Sequence, residues 1–154
     1  MIQIKESKDY KLIAALNEEV QNLHHHIEPT MFKPFNQEKV ELAFKEILED
    51  GVKAFVAFFK EEKVGYILLR SIELEENAFK YYIRKLSIDH ICVVESYRKH
   101  GIGKALVDFS KEYAKSLDLK RIEMNYWTQN ENSGQFFRAQ GFSNFNERLC
   151  FEIE

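Results

Sequence analysis

Arg98-Lys99-His100-Gly101-Ile102-Gly103 lies between a strand-like run and a helix-like one, and its reading decides the fold. Upstream, Leu86-Ser87-Ile88-Asp89-His90-Ile91-Cys92-Val93-Val94 is apolar and β-branched enough for a buried strand. Downstream, Ile102, Ala105, Leu106, Phe109, Tyr113 and Leu117 recur at three- and four-residue steps, while Lys104, Asp108, Lys111, Glu112 and Lys115 take the other side. That is an amphipathic helix. Strand, glycine loop and helix together build an anion site, because the glycines let backbone approach a ligand and the helix start presents amides and a positive dipole end.

The dinucleotide fingerprint requires a third glycine where Leu106 stands, and the P-loop requires a Gly-Lys-Ser/Thr that is absent. What remains, R-x-x-G-x-G, resembles the acyl-CoA loop of the GNAT superfamily of N-acyltransferases. A second block agrees with it. Asn130-Glu131-Asn132-Ser133-Gly134-Gln135-Phe136-Phe137-Arg138-Ala139-Gln140-Gly141-Phe142 is similar to the family's N-x-x-A-x-x-[LF]-Y-x-x-x-G-F segment, and it follows another strand-like run, Arg121 to Trp127. The resemblance implies an α/β (α+β) fold: a central mixed, twisted sheet with helices on both faces, and strands four and five splayed to admit acyl-CoA. Its specific part covers roughly residues 85 to 142.

At 154 residues, the chain is long enough for one core and too short for two, so a single domain over 1–154 is expected. Apolar residues make up 45% and charged residues 31%, an ordinary globular balance. A net charge of −3 with no basic run argues against a nucleic-acid partner. No apolar stretch reaches membrane-spanning length, and the first residues lack the apolar core of a secretion signal, so a cytoplasmic protein without a membrane partner is expected. Cys92 and Cys150 both fall in strand-like segments and read as buried, reduced thiols. His24, His25 and His26 are consecutive, cannot all face one ion from a helix, and lack a completing ligand pattern, so no metal site is expected.

The remaining pattern gives a strand at Ile2-Gln3-Ile4 and a helix capped by Ser7 with Ile13, Leu16, Val20 and Leu23 inward. Asn36 caps a second helix, in which Val40, Ala43, Phe44 and Ile47 point inward, and Gly51 ends it. Residues 54–59 and 64–69 form a hairpin, an acidic loop follows at 73–77, and Arg148 to Ile153 reads as a closing strand. The order β-α-α-β-β-β-α-β-α-β is the order the resemblance implies.

The resemblance also implies roles. Main-chain amides of Arg98, Lys99, His100, Gly101, Ile102, Gly103 and Lys104 would cradle the CoA pyrophosphate. Ile91, Val93 and Val94 would meet the pantetheine arm, with Val93 aimed at the thioester carbonyl as an oxyanion donor. Asn130, Ser133, Phe136 and Phe137 would line the cofactor from the last helix, although Asn130 also reads as a helix cap. An attacking amine with a pKa of ~10.4 pays about 4–5 kcal/mol to be neutral at pH 7, so a base is needed. Strict alternation puts Val93, Ile91, Asp89 and Ser87 on one face, and Cys92 and His90 on the other. Asp89 is therefore the expected base, unless it is merely paired with Arg84, Lys85 or Arg121, and His90 serves only if a β-bulge shifts the register. Phe137 occupies the place where relatives carry a proton-donating tyrosine, which leaves Tyr126 or water for that role. His26, Glu28 and Phe32 would line the acceptor wall. The resulting expectation is an N-acetyltransferase that moves the acetyl group of acetyl-CoA directly to a primary amine, and a homodimer is expected only because the resemblance implies one. A noncatalytic acyl-CoA sensor of the same fold is the alternative.

Overall fold

The computed structural model describes residues 1–154. The elements run β1 (Ile2–Ser7), α1 (Tyr10–Ile27), α2 (Gln37–Glu49), β2 (Lys53–Phe59), β3 (Glu62–Leu74), β4 (Ile83–Val93), α3 (Ile102–Ser116), β5 (Ile122–Met124) and α4 (Glu131–Ala139). One sheet carries the strands in sequence order. Its first three pairings are antiparallel, and β4 with β5 is parallel.

Local chemistry sets the element ends. Asp9, rather than Ser7, caps α1 by accepting the Leu12 amide at 3.1 Å, while Ser7 Oγ accepts the Asp9 amide. Asn36 caps α2 through the Lys39 amide at 3.0 Å. The β2–β3 turn is tighter than the sequence suggests. Lys60 and Glu61 take positive φ (50° and 69°), the geometry that matches strand twist in a two-residue hairpin.

Each face of the sheet has its own core. Phe55, Ile67, Leu69, Leu86 and Ile88 pack under α3 with Ile102, Leu106 and Ala114. On the other face Ile13, Ala14 and Leu16 of α1 and Phe44 of α2 meet Val56, Tyr66, Leu68 and Cys92. A fully buried aliphatic or aromatic side chain contributes about 1.5–3 kcal/mol, so these two layers supply most of what holds the helices to the sheet.

Two expectations fail here. The closing strand does not form. Residues 143–154 have no regular structure and are exposed, and Cys150 is exposed with them. The strand expected over Arg121–Trp127 is regular only at Ile122–Met124, because β4 offers it only Leu86, Ser87 and Ile88 as partners.

A buried polar chain ties α1 to the sheet. Asn17 Nδ2 donates to Tyr66 Oη at 2.9 Å, and Tyr66 Oη lies 3.3 Å from His90 Nδ1. Burial pushes the Tyr66 phenol well above its ordinary pKa, so it stays protonated. Its oxygen already accepts from Asn17, so its hydrogen goes to His90 Nδ1, and this network assigns the neutral ring's proton to Nε2. Burial lowers the His90 pKa, with the Asp89 charge opposing, and burial lowers that of His24 as well. Both rings take up a proton more readily in the unfolded chain, near pH 6.5. Their contribution to stability is therefore present above about pH 7 and is lost as pH falls through that value toward the depressed folded one. The melting temperature should fall between pH 7.5 and 5.5, and fall less in His90→Gln. Equal drops in the two proteins would show that His90 titrates like a free imidazole.

Candidate active site

The site begins with one extra residue. In the β3–β4 ladder Leu68 faces His90, yet Leu69 faces Ile88, so Asp89 has no opposite residue and forms a β-bulge. The strict alternation expected from sequence therefore breaks. Leu86 and Ile88 lie on the α3 side, and so do Ile91 and Val93 beyond the bulge. Ser87, Asp89 and His90 share the opposite face with Cys92, beneath α1 and α2. Asp89 is thus not on the Val93 face, and the bulge brings it beside His90.

Asp89 is paired, with a partner different from those considered above. Its Oδ2 accepts Arg70 Nε at 2.7 Å and its Oδ1 accepts Ser87 Oγ at 2.7 Å. Arg70 also reaches Asp50 at 3.6 Å, and the Asp89 hydrogen bond is the main reason its pKa is raised. Arg70, Ser87 and Asp89 line a cleft of ≈ 250 Å³ with Ile47, His90 and Asn125. Arg70 was missed as a site residue, although a single arginine after Ile67-Leu68-Leu69 in an apolar strand was a visible signal.

Beyond the bulge, β4 has a free edge. The Val94 amide bonds back to Val64 of β3 at 2.9 Å and is not available to a ligand. By alternation the amides of Val93 and Ile91 point away from β3, toward the side where β5 no longer runs, since its pairing stops at Ile88. Arg98 Nε donates to the Val93 carbonyl at 3.1 Å, so the Val93 donor is free while its acceptor is engaged.

The glycine loop follows at the same end of β4. None of the amides from Lys99 to Lys104 donates to a protein acceptor, and the first amide in α3 to do so is Ala105, to Gly101. Lys99 and Gly101 both take left-handed φ (63° and 78°), which turns successive amides toward one side. His100 Nδ1 braces the loop from within, 2.9 Å from the Arg98 carbonyl and 3.1 Å from that of Tyr97. Lys104 pairs with Asp108 one turn on. Six unbonded amides at a helix start fit a pyrophosphate. Gly103 has a different job: a Cβ there would sit 3.1 Å from the Phe136 ring, so its missing side chain lets α3 and α4 meet.

On α4, Asn130 acts as the cap, its Oδ1 accepting the Ser133 amide at 3.3 Å, so only its Nδ2 is left for a ligand. Phe137 is buried, edge-on to Phe136 and Phe142. Tyr126 lies against Gly134, where a Cβ would come within 2.8 Å of its ring, and its Oη accepts Arg138 Nη1 at 2.8 Å. In the α1–α2 connection Phe32 stands between His24 (5.0 Å) and Trp127 (5.2 Å), closing the distance to the end of β5. Glu28 caps the end of α1 and accepts Thr30 Oγ1, while His26 is exposed on the last turn. Cys92 is inert. Its thiol donates to the Leu16 carbonyl, and burial pushes its pKa up to about 12.

This geometry has counterparts. A tetramutant of the BH1408 protein from Bacillus halodurans superposes with a TM-score of 0.88 at 19% identity, covering 98% of this chain and 99% of that one. The aminoglycoside N-acetyltransferase AAC(6')-Iy in complex with CoA gives 0.68 at 18% identity over 100% and 95% of the two chains. An uncharacterized N-acetyltransferase in the pepI 3' region of Lactobacillus delbrueckii subsp. lactis is 28% identical over 64 residues, which spans 42% of this chain and 37% of that relative. The acetyltransferase (GNAT) family model matches residues 20–142, which take in the bulged strand, the glycine loop and α4, and the chain belongs to that family.

Proposed function

We propose that the chain is an acetyl-CoA-dependent N-acetyltransferase that transfers the acetyl group directly to a primary amine. The observation that carries this reading is the row of unbonded amides from Lys99 to Lys104 beside a β4 edge released from β5 at Ile88. The loop amides of Lys99, His100, Gly101, Ile102, Gly103 and Lys104 frame the place of the pyrophosphate, with Lys99 the exposed cation beside it, whereas the Arg98 amide is held by the Glu95 carbonyl at 3.1 Å. The freed edge at Ile91 and Val93 is where an extended pantetheine arm would add like a strand, with Asn130 Nδ2, Ser133 and Phe136 on the far wall. The Val93 N–H would stabilise the oxyanion formed when the amine attacks the thioester carbon.

Asp89 serves the acceptor. A carboxylate fixed by Arg70 and Ser87 attracts the cationic form of an amine, then takes its proton directly or through water. His90, with its proton on Nε2 and burial keeping it neutral, orients rather than deprotonates. As nitrogen bonds the acyl carbon the carbon–sulfur bond breaks, and the thiolate takes a proton from Tyr126 Oη or from water. Phe137, buried and without a hydroxyl, has no part in that transfer. His26, Glu28 and Phe32 border the acceptor's approach, and the amine's identity is read by groups in the cleft rather than by the loop.

Acetyl-CoA and CoA, but not ATP or NAD, should raise the melting temperature. At 100 times the dissociation constant the gain is about 2.7 kcal/mol, roughly 5–11 °C for a domain of this size. No shift with either CoA species at millimolar concentration would remove the acyl-CoA reading, and binding without acetylation of any amine at any pH would leave the sensor.

Gly101→Ala forces a side chain into left-handed φ with nothing nearby to clash, a cost of about 1–2 kcal/mol. It should weaken CoA binding at least tenfold while the protein remains folded, as read by calorimetry and circular dichroism. Asp89→Asn should lower kcat/KM by roughly 10²–10⁴ and remove the acidic limb of its pH profile. Full activity with an unchanged profile would exclude Asp89 as the proton acceptor.

A further inference from the structure

The cleft at the bulge holds more donors than a bare amine can use. Arg70, His90 and Asn125 all line it, and Asp89 is its one carboxylate. The guanidinium of Arg70 carries five N–H donors. Nε is the one given to Asp89, and Nη1 faces Asp50, which at 3.6 Å is beyond hydrogen-bond distance and is 80% exposed. His90 has its Nδ1 taken by the Tyr66 hydroxyl, so its donor is Nε2–H. No protein group accepts from Nε2, and no buried side-chain nitrogen or oxygen lacks a partner, so this N–H opens on the cleft that the ring lines. Asn125, directly after β5, adds an amide.

Charge sharpens the mismatch. A simple monocation that takes Asp89 from Arg70 sets an ammonium beside a guanidinium that has just lost its hydrogen-bonded anion. It also leaves His90 Nε2–H with nothing but water to donate to. An acceptor that carries its own anion removes both faults. Its ammonium takes Asp89 and its carboxylate takes Arg70, so each ion of the resident pair exchanges one partner for another. A planar guanidinium matches a carboxylate two bonds to two, which a point cation would not. Spacing limits the ligand further. Arg70 Nε and Asp89 Oδ2 are 2.7 Å apart, so the groups that answer them must lie close together on the acceptor. The cleft of ≈ 250 Å³ is also smaller than the roughly 300–1,000 Å³ usual for drug-sized ligands.

We propose that the acceptor is a small zwitterion, an amino acid whose amine and carboxylate are one or two carbons apart, held by its ammonium on Asp89 and its carboxylate on Arg70 and His90 Nε2–H. This rests on the acetyl-transfer reading above and names the acceptor class for it. The ammonium gives a proton to Asp89, directly or through water, and the freed nitrogen bonds the acyl carbon as the carbon–sulfur bond breaks. CoA leaves as the thiolate, and the product is an N-acetylated amino acid that keeps its carboxylate and has lost its cation. Asp89, once it has passed its proton to solvent, is again a free anion beside Arg70. It competes with the product carboxylate for the guanidinium, which favours release. Polyamines and aminoglycosides, cations without a carboxylate, bring nothing for Arg70 and are excluded as preferred acceptors.

Matched sets isolate the carboxylate: an L-amino acid, its amide and its decarboxylated amine, taken across the standard side chains, with release of the CoA thiol from acetyl-CoA as the readout. In the sets the protein uses, the amino acid should exceed both analogues in kcat/KM by about tenfold or more. Arg70→Gln should bring that ratio close to one, chiefly through KM. A merely structural loss would lower every acceptor alike and leave the ratio as it was, against the proposal. Calorimetry on the wild-type protein loaded with CoA needs neither turnover nor a variant: the amino acid should bind, and its decarboxylated amine should not at the same concentration. Equal use of the decarboxylated amines, or acetylation of polyamines and aminoglycosides alone, would overturn the zwitterion and leave acetyl transfer in place. Failure of acetyl-CoA itself to bind is a separate result, seen in the thermal shift before any acceptor is added, and it removes both readings.

Discussion

The arrangement of the site depends on one unpaired residue in β4. Side chains on a strand alternate with a period of two, and only an added residue can change their phase. Asp89 is that residue. Because of it, Leu86, Ile88, Ile91 and Val93 all serve the α3-side core, although two are even-numbered and two odd. The polar residues displaced by the change, Ser87, Asp89 and His90, gather on the other face over the cleft. A strand without the bulge would have to bury Asp89 and Ser87 under α3 or bring Ile91 and Val93 out of it. Either would cost an unpaired buried charge or lost apolar burial, several kcal/mol in each case.

What could be read from sequence follows from what is local. The anion loop was legible because Gly101 and the helix start are chemistry within six residues, and the same holds for the Asn36 cap. The two-layer core was legible as helical and strand periodicity. The bulge was not, since Ser87-Ile88-Asp89-His90-Ile91 can be phased either way and only the β3 partner decides between them. The Arg70–Asp89 pair was hidden for the same reason: nineteen positions separate its members, and the nearer arginine and lysine looked equally suitable. The closing strand failed differently. Its pattern is that of a strand, but a pattern states only which residues want one face covered, and no residue beyond Phe142 makes a backbone hydrogen bond to the sheet.

The two glycines of the loop show how one motif can satisfy two constraints. Gly101 is demanded by a left-handed backbone with open space around it, and Gly103 by the ring of Phe136. The loop is also seated from behind. Arg98 donates to Val93 and reaches Glu19 of α1 at 3.8 Å, and Glu19 accepts the Glu95 amide at 2.7 Å. The exposed Arg98–Glu19 pair is worth about 0–1 kcal/mol. The burial of Ile13, Ala14 and Leu16 and the Asn17–Tyr66 bond therefore fix α1, and α1 in turn fixes the loop.

The Arg70–Asp89 pair is suited to a cationic visitor for the same reason that it adds little to the fold. With 38% of the Arg70 side chain and 23% of the Asp89 side chain exposed, neither ion has been fully stripped of water. Partly solvated pairs of this kind contribute about 0–1 kcal/mol, so an incoming ammonium can exchange with the guanidinium at little cost. A deeply buried pair could not be opened so cheaply, because removing one partner strands the other charge for roughly 3–5 kcal/mol. Ser87 holds the second carboxylate oxygen at 2.7 Å, a bond to Asp89 that does not involve Arg70. In the reaction proposed above, the arginine would be a stand-in for the amine at Asp89, with Asp50, 3.6 Å away, as its alternative partner.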